Sequence, residues 1–315
     1  MIRDGREIVH SEVSSQIAQH VPHGGVVPEL AARMHVEAIG PVVDRALGSL
    51  QHGWDDVDAI AVTRGPGLAG CLLVGVAFAQ AAAATRGLPI AGVSHLAGHV
   101  YSAWLADSHL EPPFVALVVS GGHTDCVELR DHGDARHVAS TRDDAAGEAF
   151  DKVARLLGLA YPGGPAIEIA ARDGIAGRYQ LPATKLENSF SFSGLKTAVR
   201  YALDGIAQSD RDAQMVSDMA LAFQTAAVNQ LVNGLERAVD AASAEQVVVV
   251  GGVAANSALR AAVTERFDGL RVVIPPLNLC TDNAAMIGAA AWHRFNALGP
   301  DTEPFDIDPG LMEFA

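Results

Sequence analysis

The sequence predicts an α/β protein of two lobes, and three observations carry that expectation. Short apolar runs, such as residues 57–62 and Phe114–Val119, alternate with stretches whose apolar positions recur at helical spacing, which is the grammar of parallel strands joined by helices. The stretch 107–113 contains two prolines and reads as a domain boundary, after which the same grammar restarts. Two strands, well separated in sequence, run into bare Gly-Gly turns at Gly121-Gly122 and Gly251-Gly252, as expected of two lobes facing a nucleotide.

Taken in order, the chain opens with an expected strand at 7–14 and a turn at Pro22-His23-Gly24-Gly25. Leu30, Met34, Val42 or Val43, Leu47 and Leu50 then follow at helical spacing, with Pro41 expected to kink or divide the helix. The strand at 57–62 leads through Arg64-Gly65-Pro66-Gly67 into a long Ala-rich helix ending near Gly87, and a strand at 89–93 feeds the helix carrying His95 and His99. Beyond the boundary, Phe114–Val119 ends in Ser120-Gly121-Gly122-His123-Thr124, and a second strand at 125–129 makes a hairpin whose backbone can approach a ligand closely. Free N–H groups in such a turn suit phosphate oxygens.

Residues 143–200 read as mostly helical with glycine-rich interruptions, followed by a long helix at 216–242. A buried-type strand, Gln246–Val250, then runs into Gly251-Gly252-Val253-Ala254-Ala255-Asn256 and a helix, placing amide dipoles toward a phosphate. Asn256 offers a donor and acceptors there, and Asn is also a common helix cap. A strand at 271–274, a loop holding Asp282 and a helix at 283–298 complete the pattern. The polar tail after Gly299 is expected to be loosely ordered.

Composition excludes several classes. A chain of 315 residues with 49% hydrophobic content is globular and long enough for two domains. No run of eighteen apolar residues and no leader pattern is present, so a soluble cytoplasmic protein with no membrane partner is expected. Cys71, Cys126 and Cys280 form no C-x-x-C pair, which speaks against a disulfide framework or a thiolate zinc site. The net charge of −15 argues against nucleic-acid binding through the overall field. One window differs. Residues 142–200 hold eight Lys or Arg against seven Asp or Glu, and all three lysines of the chain, Lys152, Lys185 and Lys196, fall within it. If a polyanion touches the protein, that segment is the place.

The chemistry-bearing motif is His95-Leu96-Ala97-Gly98-His99. Residues four apart on a helix stand one turn above each other, so both imidazoles can reach one ion. A metal site usually takes three or four side chains, and Asp282, where a loop turns into a helix, is the best further candidate. Two exposed histidines on an amphipathic helix remain the plain alternative for the pair alone. A metalloprotease would place a glutamate after the first histidine, where Leu96 stands, so the base that activates zinc-bound water is missing.

Six segments taken together resemble the tRNA N6-adenosine threonylcarbamoyltransferase family. They are Val118-Val119-Ser120-Gly121-Gly122-His123-Thr124; Asp143-Asp144-Ala145-Ala146-Gly147-Glu148-Ala149-Phe150-Asp151-Lys152-Val153; Tyr161-Pro162-Gly163-Gly164-Pro165; Phe192-Ser193-Gly194-Leu195-Lys196-Thr197; Gly251-Gly252-Val253-Ala254-Ala255-Asn256; and Cys280-Thr281-Asp282-Asn283-Ala284-Ala285-Met286. Each is weak by itself, and their order along nearly the whole chain makes the resemblance strong.

The resemblance implies a fold of the actin, Hsp70 and sugar-kinase type, with a first lobe at 1–108, a second at 109–283 including a helical insertion at 142–200, and the 284–315 segment packing back on the first. It implies transfer of a threonylcarbamoyl group from threonylcarbamoyl-AMP to N6 of the adenosine just 3′ of the anticodon, in tRNAs reading ANN codons. His95, His99 and Asp282 match the family's metal ligands, usually iron, with zinc an alternative. Val118, Val119, Ser120, Gly121, Gly122, Asp151, Gly164 and Asn256 match its adenylate-binding positions, and Glu168 stands where the family has an acidic residue. Lys152, Lys185 and Lys196 are the expected tRNA contacts. The implied partners are an inactive paralogous subunit and a small P-loop ATPase. No general base is assigned. The rivals are a metal-dependent peptidase, a kinase sharing the fold, and a non-catalytic scaffold. The family pattern also begins with a strand, a Ser/Thr-rich acidic turn and a second strand ahead of the segment near Glu7, so the first lobe's initial hairpin is expected to be missing.

Overall fold

The computed structural model describes residues 1–182 and 189–314. In chain order the first elements are β1 (Ile2–Arg3), β2 (Glu7–Ile8), α1 (Ile17–His20), α2 (Pro28–Leu47), β3 (Ile60–Gly65), α3 (Ala69–Arg86), β4 (Ile90–Ser94) and α4 (His95–Ala106). There follow β5 (Phe114–Val119), β6 (Thr124–Asp131), β7 (Asp134–Thr141), α5 (Ala146–Leu156), α6 (Gly163–Ala171), β8 (Ser189–Phe190), α7 (Ser193–Asp204), α8 (Ala213–Ala242), β9 (Gln246–Val250), α9 (Ser257–Arg266), β10 (Arg271–Val273), α10 (Leu277–Cys280) and α11 (Ala284–Leu298). They fall into two compact units: Met1–Pro112 with Arg130–Ala135 and Thr281–Ala315, and Pro113–Leu129 with Arg136–Cys280.

In the first unit, β3 and β4 pair in parallel, Ile60 opposite Ile90 through Gly65 opposite Ser94. The connection between them is α3, which packs on β3 and α2 and buries Leu72, Val76, Ala79 and Ala83. Gly87 ends α3 in the left-handed conformation that glycine adopts without strain. Among the described residues α3 is the one helix long and apolar enough to cross a membrane by length and composition. Helix α4 is buried along almost its whole length, from Leu96 to Trp104, and lies against α11.

Several expectations for this unit are corrected. The strand expected at 7–14 reduces to Glu7–Ile8, which closes a two-residue ribbon with β1. The strand expected at 57–62 starts at Ile60, because a 3-10 turn over Gly53–Asp56 occupies the chain ahead of it. Pro41 does not divide α2, which runs unbroken from Pro28 to Leu47. The tail is the largest surprise. Asp301 N–H donates to the Ile90 carbonyl at 2.9 Å while its carboxylate accepts from the Gly92 amide at 2.8 Å, so the tail satisfies backbone groups of β4. Further along, Asp308 N–H donates to the Arg64 carbonyl at 2.8 Å, the Gln80 amide donates to the Phe305 carbonyl at 2.6 Å, and Leu311 and Phe314 are buried.

The second unit holds a six-stranded sheet in the order β10-β9-β5-β6-β7-β8. The parallel pairs β10–β9 and β9–β5 sit beside the antiparallel β5–β6 hairpin. Strands β5 and β9 are buried and read as unbroken Val-rich runs, as strands covered on both faces do. One core cluster combines Val115, Leu117 and Val119 of β5 with Phe150 of α5, Ile167 of α6 and Phe223 and Leu231 of α8. Phe150 and Phe223 meet edge to face at 5.0 Å, a geometry that adds about 1 kcal/mol beyond area burial. Gly234 of α8 exists for contact, since a Cβ there would stand 2.1 Å from the Phe190 ring.

Candidate functional site

The first unit gathers one set of donors. Ser94 caps α4, its hydroxyl accepting from the Leu96 and Ala97 amides at 3.2 and 3.5 Å, and the next turn presents His95 and His99 on one face. Their rings lie 4.6 Å apart at 74°. Asn283 caps α11 by accepting from the Met286 amide, which holds Asp282 just ahead of the helix. The two helices approach so closely at Gly98 that a Cβ there would stand 2.6 Å from Ile287 Cδ1 and 3.3 Å from Met286 Cγ. The approach brings Asp282 Oδ1 to 3.5 Å from His95 Nε2 and 3.4 Å from His99 Nε2.

These donor atoms fit a divalent metal. One ligand atom from each of His95, His99 and Asp282 lies within 4.8 Å of the others, and among the described residues no other group of three such side chains does so. His99 is fully buried, and neither ring nitrogen has a hydrogen-bond partner despite the carboxylate nearby. Leaving a buried polar atom unsatisfied costs about 1–3 kcal/mol, a cost that an ion bound at His99 Nε2 would remove for that atom. Burial also pushes the His99 imidazole below its ordinary pKa, against the pull of Asp282, and so favours the neutral form that can bind a cation. Two imidazoles and one carboxylate suit zinc or ferrous iron more than magnesium or calcium.

The second unit gathers the expected adenylate residues around the carboxyl ends of two parallel strands. Val118 of β5 pairs beside Val250 of β9, so the Gly121-Gly122 and Gly251-Gly252 turns emerge side by side from neighbouring strands. That is where open α/β sheets bind ligands. Ser120 and His123 close the first turn, Ser120 N–H donating to the His123 carbonyl at 2.9 Å. Added Cβ atoms at Gly121 and Gly122 would meet nothing within 4 Å, so packing does not demand these glycines. It does demand the surrounding ones. A Cβ on Gly147 would stand 2.6 Å from the Ser120 carbonyl oxygen, one on Gly251 2.4 Å from that of Val119, and one on Gly163 2.5 Å from Asp151 Cα. Gly251 also has φ +97°, where an L side chain is strained.

The other expected adenylate residues lie in this unit as well. Val118 and Val119 are fully buried, so only their backbone can face a ligand. Asp151 accepts from the Gly163 amide at 2.7 Å, and burial raises its carboxyl above the usual range. Gly164, in the first turn of α6, has open space at its Cβ position. Asn256 caps α9 through Oδ1, which accepts from the Leu259 amide at 3.0 Å, and its Nδ2 donates to Gln224 Oε1 at 2.9 Å. Glu168 accepts from the Ser257 hydroxyl at 2.5 Å and lies 3.5 Å from Asn256 Nδ2. Gln224, buried on α8, was not flagged by sequence reasoning, since a lone glutamine in a long helix carries no local signal. Lys152 and Lys196 both reach Asp144, at 2.7 and 3.3 Å, and Lys185 lies outside the described residues.

Comparison with known proteins places this geometry. Among solved structures, the chain is similar to full-length HypF in its phosphate- and nucleotide-bound form, with TM-score 0.61 at 13% identity, covering 82% of this chain and 42% of that one. It also matches the activator of the 2-hydroxyisocaproyl-CoA dehydratase from Clostridium difficile with bound ADPNP, with TM-score 0.52 at 16% identity, covering 94% and 89%. Fold and donors together define an α/β protein of the actin and Hsp70 type carrying a metal-competent His-His-Asp triad. The particular family follows from sequence. Residues 7–289 match the family described as tRNA N6-adenosine threonylcarbamoyltransferase. Curated proteins of that name are 49% identical in Moorella thermoacetica, over 98% of this chain and 91% of theirs, and 45% identical in Clostridioides difficile, over 94% and 88%. The chain belongs to this family of transferases.

Proposed function

We propose that the protein transfers a threonylcarbamoyl group from threonylcarbamoyl-AMP to N6 of the adenosine 3′ of the anticodon in tRNAs reading ANN codons. The observation that supports this most is the pairing of family membership with an intact His95-His99-Asp282 set. A peptidase, a kinase of this fold and an inert scaffold are not favoured by relatives that carry the transferase name.

An acyl adenylate is already activated, so the protein's share is orientation, charge stabilisation at the carbonyl and presentation of the amine. In this reading the amides of the Ser120-Gly121-Gly122 and Gly251-Gly252 turns hold the phosphate, with Val118 and Val119 supplying backbone beside it. Asp151 and Glu168 accept hydrogen bonds from ribose hydroxyls, Gly164 leaves room for the nucleoside, and Asn256 keeps the second turn in place. His95, His99 and Asp282 would hold an iron or zinc ion, which when bound supplies a Lewis acid or template for the threonylcarbamoyl group. Lys152, Lys185 and Lys196 contact tRNA phosphates. An inactive paralogous subunit and a small P-loop ATPase complete the cytoplasmic machinery. The test is a transfer assay with threonylcarbamoyl-AMP and an ANN-reading tRNA, read by mass spectrometry of the nucleosides. Phosphoryl transfer with no threonylcarbamoyladenosine would establish the kinase in its place.

A further inference from the structure

We infer that the groove between α5 and α7 is the docking site for tRNA phosphates, with arginines rather than lysines alone as its main contacts. The inference rests on the tRNA reading above and goes beyond its lysines.

The groove encloses about 270 Å³ and is lined by Lys152, Arg155 and Leu156 of α5 and Lys196, Thr197 and Arg200 of α7. Four cations line it, with no carboxylate among the lining residues. In a chain of net charge −15 such a gathering is locally repulsive and calls for an anion. The protein supplies part of one. Asp144 bridges both ammonium groups, Glu148 reaches Lys152 at 2.9 Å, and the charge of Arg155 acts on Asp151 one turn before it, so the local balance is four cations against three carboxylates. These lysines are each about one third exposed, and a phosphate entering the groove competes with Asp144 for both ammonium groups.

Two features favour RNA over an acidic protein face. The Arg200 guanidinium lies over the Tyr201 ring, 5.4 Å from its centroid, and that ring is 64% exposed. An exposed aromatic face beside a cation is a platform for an unstacked base, and unstacked loop bases are how proteins read RNA in sequence. Helix α5 also joins two jobs by its own periodicity. Gly147 and Asp151 meet the Ser120 turn and Gly163, and Arg155, one turn beyond Asp151 on the same face, lines the groove with Lys152. One helix thus carries the proposed nucleotide site and, a turn further along, the proposed phosphate groove.

The test measures binding of an ANN-reading tRNA transcript to the full chain across a salt series. Arg155→Glu and Arg200→Glu should each weaken binding several-fold at low salt and flatten the slope of log K against log salt by about one. Tyr201→Ala should weaken binding and leave the slope unchanged. Asp144→Asn should tighten binding, a gain that a merely structural role for Asp144 would not give. Arg266→Glu, on α9 and paired with Glu236, is the control and should change nothing. Arg155→Gln and Arg200→Gln, checked for normal melting, guard against misfolding of the reversals. Unaltered affinity in both arginine variants, no tRNA binding by the wild-type chain, or loss of a protein partner with tRNA binding intact would each overturn the inference. The two readings fail separately. Groove-dependent binding without threonylcarbamoyladenosine would remove the transferase function and leave the groove, and modification with unaltered arginine variants would do the reverse.

Discussion

Gly98 shows how one residue sets the geometry of the His95-His99-Asp282 triad. It is the point where α4 and α11 come close enough for Asp282 to face both histidines, and a methyl group there would overlap Ile287 Cδ1. Gly98→Ala is expected to cost about 1–3 kcal/mol through overpacking and to lower zinc affinity at least tenfold, measured by titration calorimetry beside His99→Ala. Unchanged affinity in Gly98→Ala would show that the helix approach does not control the donors. A second residue-scale expectation concerns His293, whose ring stacks on His132 at 3.9 Å with Tyr101 and Trp104 around it. Burial, then the neighbouring His132 and Arg6, push His293 down to about 4 from its ordinary value of 6.5. The folded chain therefore binds fewer protons than the unfolded chain between those values, so this contribution to stability is full above pH 6.5 and lost as pH falls toward 4. A melting series from pH 7.5 to 4 should show the decline, and His293→Gln should flatten it. The i, i+4 histidines were legible in the sequence because helical periodicity is local. Gln224 was not, because its partner Asn256 lies 32 positions away and nothing in its neighbourhood announces it.

At the scale of elements, the C-terminal segment is tied to the helix that carries the histidines. The Ser94 hydroxyl, which caps α4, donates to the Glu313 carbonyl at 2.5 Å, while Asp301 and Asp308 satisfy backbone groups of β4 and β3. Ser94→Ala should cost about 1 kcal/mol as a lost cap and weaken zinc binding, whereas Ser94→Thr should restore both. Equal metal affinity in all three proteins would separate the tail from the metal site. Polar, Pro-containing composition gave no hint of this order, since the groups that fix it, at Gln80, Gly92 and Ser94, lie 225, 209 and 219 positions away from their partners in the tail. Strand β7 was missed for a related reason, as its half-exposed residues lack the continuous apolar run that marked β5 and β9. Those buried strands, and the glycine turns that end them, were legible because both of their faces are covered.

For the molecule as a whole, function was legible through the order of six short segments, none of which carries it alone. The metal's identity follows from no spacing, because two imidazoles and a carboxylate serve iron and zinc alike. Family membership names a transferase, and the net charge of −15 concentrates the question of RNA contact on one basic groove. The most direct measurement is mass spectrometry of tRNA nucleosides from cells lacking this gene, complemented with the wild-type chain or with His99→Ala. Threonylcarbamoyladenosine should vanish on deletion, return with the wild type, and stay at least tenfold lower with His99→Ala. An undiminished level of the modified nucleoside in the deletion strain would contradict the central claim.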